Sequence, residues 1–184
     1  LFKFLQSNST IDSHHVEADP EIFKALAENF AFRENSHCYN FFIGETDPDF
    51  YSICADYAKQ QALPDWWNQL GSTNPEHIRK HFPEIPTKAI VKQKLRGLTL
   101  AEFTDDFEQI DLLHIDCEGA DFEILKQLPL RFFPDIILIE HKHLSISHLM
   151  SLLIRTWILG YRKFRSGGDF IFLHKSLTRT FWNQ

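Results

Sequence analysis

Asp111-Leu-Leu-His-Ile-Asp-Cys-Glu-Gly-Ala-Asp121 decides how this chain folds. Leu112, Leu113 and Ile115 form an apolar run that stops abruptly at Asp116, Glu118 and Gly119. A helical pattern begins at once, with Phe122, Ile124, Leu125 and Leu128 on one side. The stretch predicts a buried strand turning into a helix, with two carboxylates at the strand's C-terminal end. Open α/β sheets bind their ligands at that edge. Carboxylates are costly to bury there unless a cation, a hydroxyl or a proton in transit uses their charge.

Similar punctuation recurs on both sides. Upstream, His14 to Ala18 read as a short strand ending in Glu17, and Asp19-Pro20-Glu21 is a helix start with Asp as N-cap and Pro at the first helical position. Ile22, Phe23, Leu26 and Phe30 follow at helical spacing, and Cys38 to Ile43 read as a second strand closed by Gly44. Downstream, Ile136-Ile-Leu-Ile139 is another continuous apolar run, ending in Glu140-His141-Lys142-His143. Ser145 to Leu159 form an amphipathic helix that stops at Gly160. Tyr161 to Arg165 and Phe170 to His174 flank Ser166-Gly167-Gly168-Asp169, a hairpin with a glycine turn.

Residues 46–87 break this alternation. They are rich in Pro, Asp and aromatics, with a helical piece expected from about Tyr51 to Gln61 and another starting at Asn74-Pro75-Glu76. A segment this long between strands, with structure of its own, reads as a functional insertion or lid. Ala89 to Arg96 resume strand character, with Lys88, Lys92, Lys94 and Arg96 on its exposed face, and Leu100 to Phe107 suggest a short helix. Continuous apolar strands imply a sheet covered on both faces. The fold expectation is an α/β, Rossmann-like three-layer sandwich, mostly parallel, with an antiparallel C-terminal hairpin.

Composition narrows the function classes. The 184 residues suit one domain, so residues 1–184 are expected to form a single domain. A net charge of −6 with scattered basic residues argues against a general nucleic-acid binder. No apolar run approaches the ~20 residues of a membrane span. The three cysteines, Cys38, Cys54 and Cys117, show no C-x-x-C spacing, so free thiols in a reducing, cytoplasmic setting are expected. There is no initiator Met, and the chain reads as a fragment.

Several pieces together resemble the FkbM family of S-adenosylmethionine-dependent methyltransferases. They are Val16-Glu-Ala-Asp-Pro-Glu21 with Leu26 and Asn29, Ile43-Gly-Glu45, Leu98-Thr-Leu100, Ile110 to Gly119, Phe122-Glu-Ile-Leu125 and Ile139 to Ser145. Leu70-Gly-Ser72 with Glu76-His77, Gly160-Tyr161 and Gly167-Gly-Asp169 fit as well. Each piece is weak alone; their order and spacing are specific. The family's first strand and its glycine-rich loop of the type D-x-G-x-x-x-G are missing from the sequence, and are expected just upstream of Leu1.

The resemblance implies a class I methyltransferase that transfers a methyl group from S-adenosylmethionine to a hydroxyl of a sugar or small metabolite. It casts Glu17 as acceptor for the ribose hydroxyls, with Ala18, Gly44, Glu45 and Asp116 also at the cofactor. For Glu17 the alternative is a partner for the following helix. Asp116 and His141 are the candidate bases, since imidazole is the natural base near neutral pH. Glu118, Glu140, His143 and Ser72 are the candidate acceptor contacts. Glu118 could instead cap the next helix, and Asp19 reads as an N-cap rather than an adenosine contact. His141 and His143 with the neighbouring carboxylates could also hold a divalent metal, a reading less favoured than a metal-free site. Trp66 and Trp67 either stack on a flat acceptor or form the insertion's own core. His114 reads as a core or sheet histidine, and Asp169 as part of the hairpin turn. The rival classes are a nucleotide- or NAD-binding oxidoreductase domain and a non-catalytic interaction module.

Overall fold

The structure, a computed structural model, describes residues 2–44, 46–117 and 120–177. The chain divides into two compact units, one ending at Leu98 and the other beginning at Thr99. Among the described residues, strands pair in four small sheets interspersed with helices, which makes the chain a mixed α/β protein.

The first unit runs α1 (Phe2–Ser7), β1 (Ser13–Glu17), α2 (Pro20–Phe30), β2 (Ser36–Asn40), β3 (Phe42–Ile43), β4 (Asp49–Ile53), α3 (Ala55–Gln60), α4 (Pro75–His81), β5 (Ile90–Lys94) and β6 (Gly97–Leu98). β1 and β2 pair in parallel, with His14 opposite His37 and Glu17 opposite Asn40. The helix between them starts where local chemistry dictates: the Asp19 side chain accepts from the Glu21 amide at 2.8 Å and Pro20 needs no partner for a missing N–H. Buried Arg33 ties the unit together. Its guanidinium donates to the carbonyls of Leu5, Asn8 and Ile11, satisfying the C-terminal end of α1 and the turn after it, while its Nε donates to Ser36 Oγ at 2.9 Å.

Two expectations need correcting here. The stretch Cys38 to Ile43 is not one strand: it divides at buried Phe41, because β2 pairs with β1 whereas β3 pairs in parallel with β6. Nor does a helix start near Tyr51. That residue lies in β4, which pairs antiparallel with β5, and helix begins only at Ala55. Non-local pairing overrides local helical spacing, helped by Asp49, which forms ion pairs with Lys92 at 2.8 Å and Lys94 at 3.1 Å.

The segment around α3 and α4 builds its own core. Ile53, Ala58, Leu70, Ile78, Ile85 and Ala89 are buried together, with Trp67 and Tyr57 packed against them. Trp66 stacks on Phe82 with ring centroids 5.4 Å apart. Of the two readings of these tryptophans, the insertion's own packing is therefore realised. Asn74 caps α4 as its sequence announces, accepting from the Glu76 amide at 3.0 Å.

The second unit runs α5 (Leu100–Phe103), β7 (Leu112–Ile115), α6 (Asp121–Lys126), β8 (Ile136–Glu140), α7 (Ile146–Ile158), β9 (Tyr161–Ser166) and β10 (Asp169–His174). Its four-stranded sheet has the order β7-β8-β10-β9, with the first pair parallel and the other two antiparallel. The hairpin turn is Gly167-Gly168, with Gly167 at φ 60, a conformation that disfavours side chains. Asp169 is not in this turn: it opens β10, opposite Ser166 and Glu140. The core lies beneath Phe122, Leu125, Ile137, Ile139, Leu152 and Phe172. Edge strand β7 is less covered than its apolar run suggests, with Leu112 and His114 exposed, so His114 is a sheet histidine and not a core one.

Candidate functional site

In the first unit, β1 delivers Glu17 to its C-terminal end. The carboxylate is half-buried, and its Oε1 accepts from the Asp19 amide at 2.8 Å. Burial pushes the Glu17 carboxyl above its ordinary range, against the lowering effect of that amide, and burial does the same to Asp19. Asn40 Nδ2 bridges the ends of the two strands, donating to the carbonyls of Glu17 at 2.9 Å and Ala18 at 3.1 Å. The turn carrying Glu17 and Ala18 is thus fixed before any ligand arrives. Gly44 extends the β3–β6 ladder, its amide donating to the Leu98 carbonyl at 3.0 Å. Glu45 lies outside the described residues. Ser72 exchanges both backbone hydrogen bonds with Tyr51, at 2.8 and 3.0 Å, and its hydroxyl accepts from the Asn74 amide at 3.1 Å. Its local role is to shape the entry to α4.

In the second unit, register brings the strand-end groups to one sheet edge. Ile115 of β7 pairs with Ile139 of β8, so the next residues, exposed Asp116 and half-buried Glu140, stand side by side at the strand ends. Across the other flank, Glu140 faces Asp169. Two nitrogen groups lie near this acidic row: Lys142 Nζ is 3.8 Å and His143 Nε2 is 3.9 Å from the Glu140 carboxylate, which is 13% exposed. The strand ends at Glu140, so His141 and His143 lie beyond it and do not follow a strand's alternation of faces. Instead the His141 amide donates to the Gly168 carbonyl at 3.1 Å, and its ring packs on Phe170 with centroids 4.2 Å apart. This packing buries His141 Nε2 without a hydrogen-bond partner. Such a nitrogen is expensive unless a ligand hydroxyl or water meets it. Glu118 and Gly119 lie outside the described residues.

Asp121 carries a role that its sequence position does not announce. It is 1% exposed, and its Oδ1 accepts from the Cys117 amide, next to Asp116, at 3.3 Å. The only warning in the sequence is an acid at the start of a helix directly before apolar Phe122, a pattern more often solvated. Among the described residues, the one triad of His, Cys, Asp or Glu groups whose ligand atoms all lie within 4.8 Å of one another is Asp12, His14 and His37, remote in sequence from the residues singled out as a metal option.

Acids and an imidazole at the C-terminal ends of strands in a mixed α/β chain are consistent with a methyltransferase-like fold. Comparison with known families makes this specific: the methyltransferase FkbM domain matches residues 2–163, and the chain belongs to that family. No curated protein matches the chain significantly, and no solved structure does. No helix among the described residues is long and apolar enough to cross a membrane.

Proposed function

We propose that the chain binds S-adenosylmethionine in a Rossmann-like class I methyltransferase fold and directs its methyl group to a hydroxyl oxygen of a sugar or small metabolite. Beside family membership, the observation that carries this reading is the orphaned Nε2 of His141 at the sheet edge shared with Asp116 and Glu140. An acceptor hydroxyl donating to that nitrogen would satisfy it.

The donor set suits the cofactor. Burial penalises the charge of Glu17, and two ribose hydroxyls donating to the carboxylate would offset that penalty. Ala18, Gly44 and Glu45 are the accompanying cofactor contacts in this reading. When bound, the sulfonium supplies a methyl group already activated for transfer. What remains for the chain is to hold the acceptor oxygen in line and to take its proton. His141 Nε2 is the group proposed to receive that proton. Asp116 orients the hydroxyl or takes the proton in its place, and it also borders the cofactor. Glu118, Glu140, His143 and Ser72 hold the acceptor.

The test pairs cofactor binding with transfer of labelled methyl to a panel of sugar and small-metabolite hydroxyls, using the natural full-length protein. His141→Gln should cut turnover by roughly 10²–10⁴-fold and leave cofactor affinity unchanged. Asp116→Asn should also lower turnover far more than affinity. Glu17→Gln should weaken cofactor binding at least about tenfold, the size of one lost charge-assisted hydrogen bond. Full turnover in His141→Gln would remove the assigned base. No affinity for S-adenosylmethionine would remove the whole reading.

A further inference from the structure

At the N-terminal end of β1, three side chains that the methyl-transfer reading leaves unused converge. His14 and His37 are directly opposite each other on the parallel pair β1–β2. Asp12, just before β1, turns its carboxylate toward both: Oδ1 lies 3.2 Å from His37 Nε2 and 3.7 Å from His14 Nε2. All three ligand atoms fit within 4.8 Å. Donors sharing one cation at bonds of about 2.0–2.2 Å sit roughly 3–3.5 Å apart, so the 3.2 Å side of the triangle already has a ligand-like length and the 3.7 Å side is slightly longer. We propose that Asp12, His14 and His37 form a binding site for a divalent transition-metal ion.

Several features favour a cation over an incidental salt bridge. Both imidazoles approach the same carboxylate oxygen, at 3.2 and 3.7 Å, so the three donor atoms converge on one point. Second, Tyr39, two residues along β2 from His37, places its Oη 3.1 Å from His14 Nδ1. A phenol oxygen can accept from Nδ1–H, and in that tautomer Nε2 carries the lone pair a metal needs, the arrangement that supports metal-bound histidines. Third, His37 is 46% exposed and its ring stacks on that of His14 with centroids 4.9 Å apart, so rotation of one exposed ring closes the remaining side.

The donor set defines the class of ion. Two imidazoles and one carboxylate suit zinc, nickel, cobalt or copper, whereas magnesium and calcium require a shell of oxygens. Three protein ligands leave coordination positions for water. The site stands at the end of β1 opposite Glu17. A bound ion would clamp β1, β2 and the turn at Asp12 into one rigid unit.

The experiment uses the protein stripped of metal and titrated with Co²⁺ and Zn²⁺ by calorimetry, visible absorption and thermal melting. The wild type should take up one equivalent at this site, with a cobalt d–d spectrum and a raised melting temperature. His37→Ala and Asp12→Asn should each weaken that binding at least tenfold and remove the cobalt spectrum. Both residues are exposed, and far-ultraviolet dichroism shows whether each variant folds. His77→Ala, on α4, should leave the spectrum and stoichiometry unchanged. Unaltered affinity and spectrum in both His37→Ala and Asp12→Asn would overturn the assignment. So would a wild type that binds neither ion below millimolar concentration.

Discussion

Replacing Tyr161 by Phe tests how β8, the strand that leads to the candidate base, is anchored. Tyr161 opens β9 and is 7% exposed, and its hydroxyl donates to the carbonyl of Pro134, just ahead of β8, at 2.9 Å. Removing the hydroxyl deletes one buried hydrogen bond and orphans the carbonyl, a loss of about 1–2 kcal/mol near neutral pH. A second signature follows from titration. Burial, with a smaller contribution from the Asp135 carboxylate, pushes the Tyr161 phenol from 10.0 to about 12. Because the folded value is raised, the neutral phenol's stabilisation is complete below about pH 10 and is lost as pH climbs toward 12. Between about pH 10 and 11 the unfolded chain gives up this proton while the folded chain keeps it. That gap costs the wild type roughly one pH unit's worth of free energy, about 1.4 kcal/mol. Phe has no proton to lose. Urea unfolding at about pH 8 should show the wild type ahead by about 1–2 kcal/mol, and the lead should shrink to near zero by about pH 11. An unchanged lead at both values, or none at about pH 8, would refute the buried-hydroxyl account.

Other residues yield predictions of the same kind. The Glu17 carboxyl is raised above 4.5 by burial, so its contribution to stability is present below that pH and lost as pH rises through the folded value. Glu17→Gln should therefore unfold at a higher temperature than wild type at neutral pH while binding cofactor less well; a lower melting temperature would contradict the desolvation reading. Arg33→Met removes the side-chain donor from the carbonyls of Leu5, Asn8 and Ile11 and should cost about 3 kcal/mol in chemical denaturation, where a loss under about 1 kcal/mol would show that water replaces the guanidinium freely. At Gly97, a Cβ would collide with the backbone carbonyl of Thr46, and the Gly97 amide donates to Asp47 Oδ1 at 2.7 Å. Gly97→Ala should accelerate amide exchange in β3 and β6 at least tenfold, and unchanged protection would show that the Thr46 turn yields easily.

Local chemistry was legible without the structure. The helix starts at Asp19-Pro20, Asn74-Pro75 and Ser145, the stop at Gly160 and the hairpin around Gly167 all follow from side chains that bond to or constrain their own neighbouring backbone. The family, too, was carried by short motifs in a fixed order. Long-range partnership was not legible. Phe50 and Tyr51 became strand because β5, some forty residues on, supplies their hydrogen bonds. Asp116 stands beside Glu140 because β7 and β8 pair in parallel, and His141 Nε2 is orphaned because the hairpin returns Phe170 and Gly168 against it. Asp12, His14 and His37 meet only through the register of β1 with β2. Sequence spacing reports neighbours along a helix turn or a strand pleat, while the distance between two such elements is set by packing, which only the tertiary structure decides.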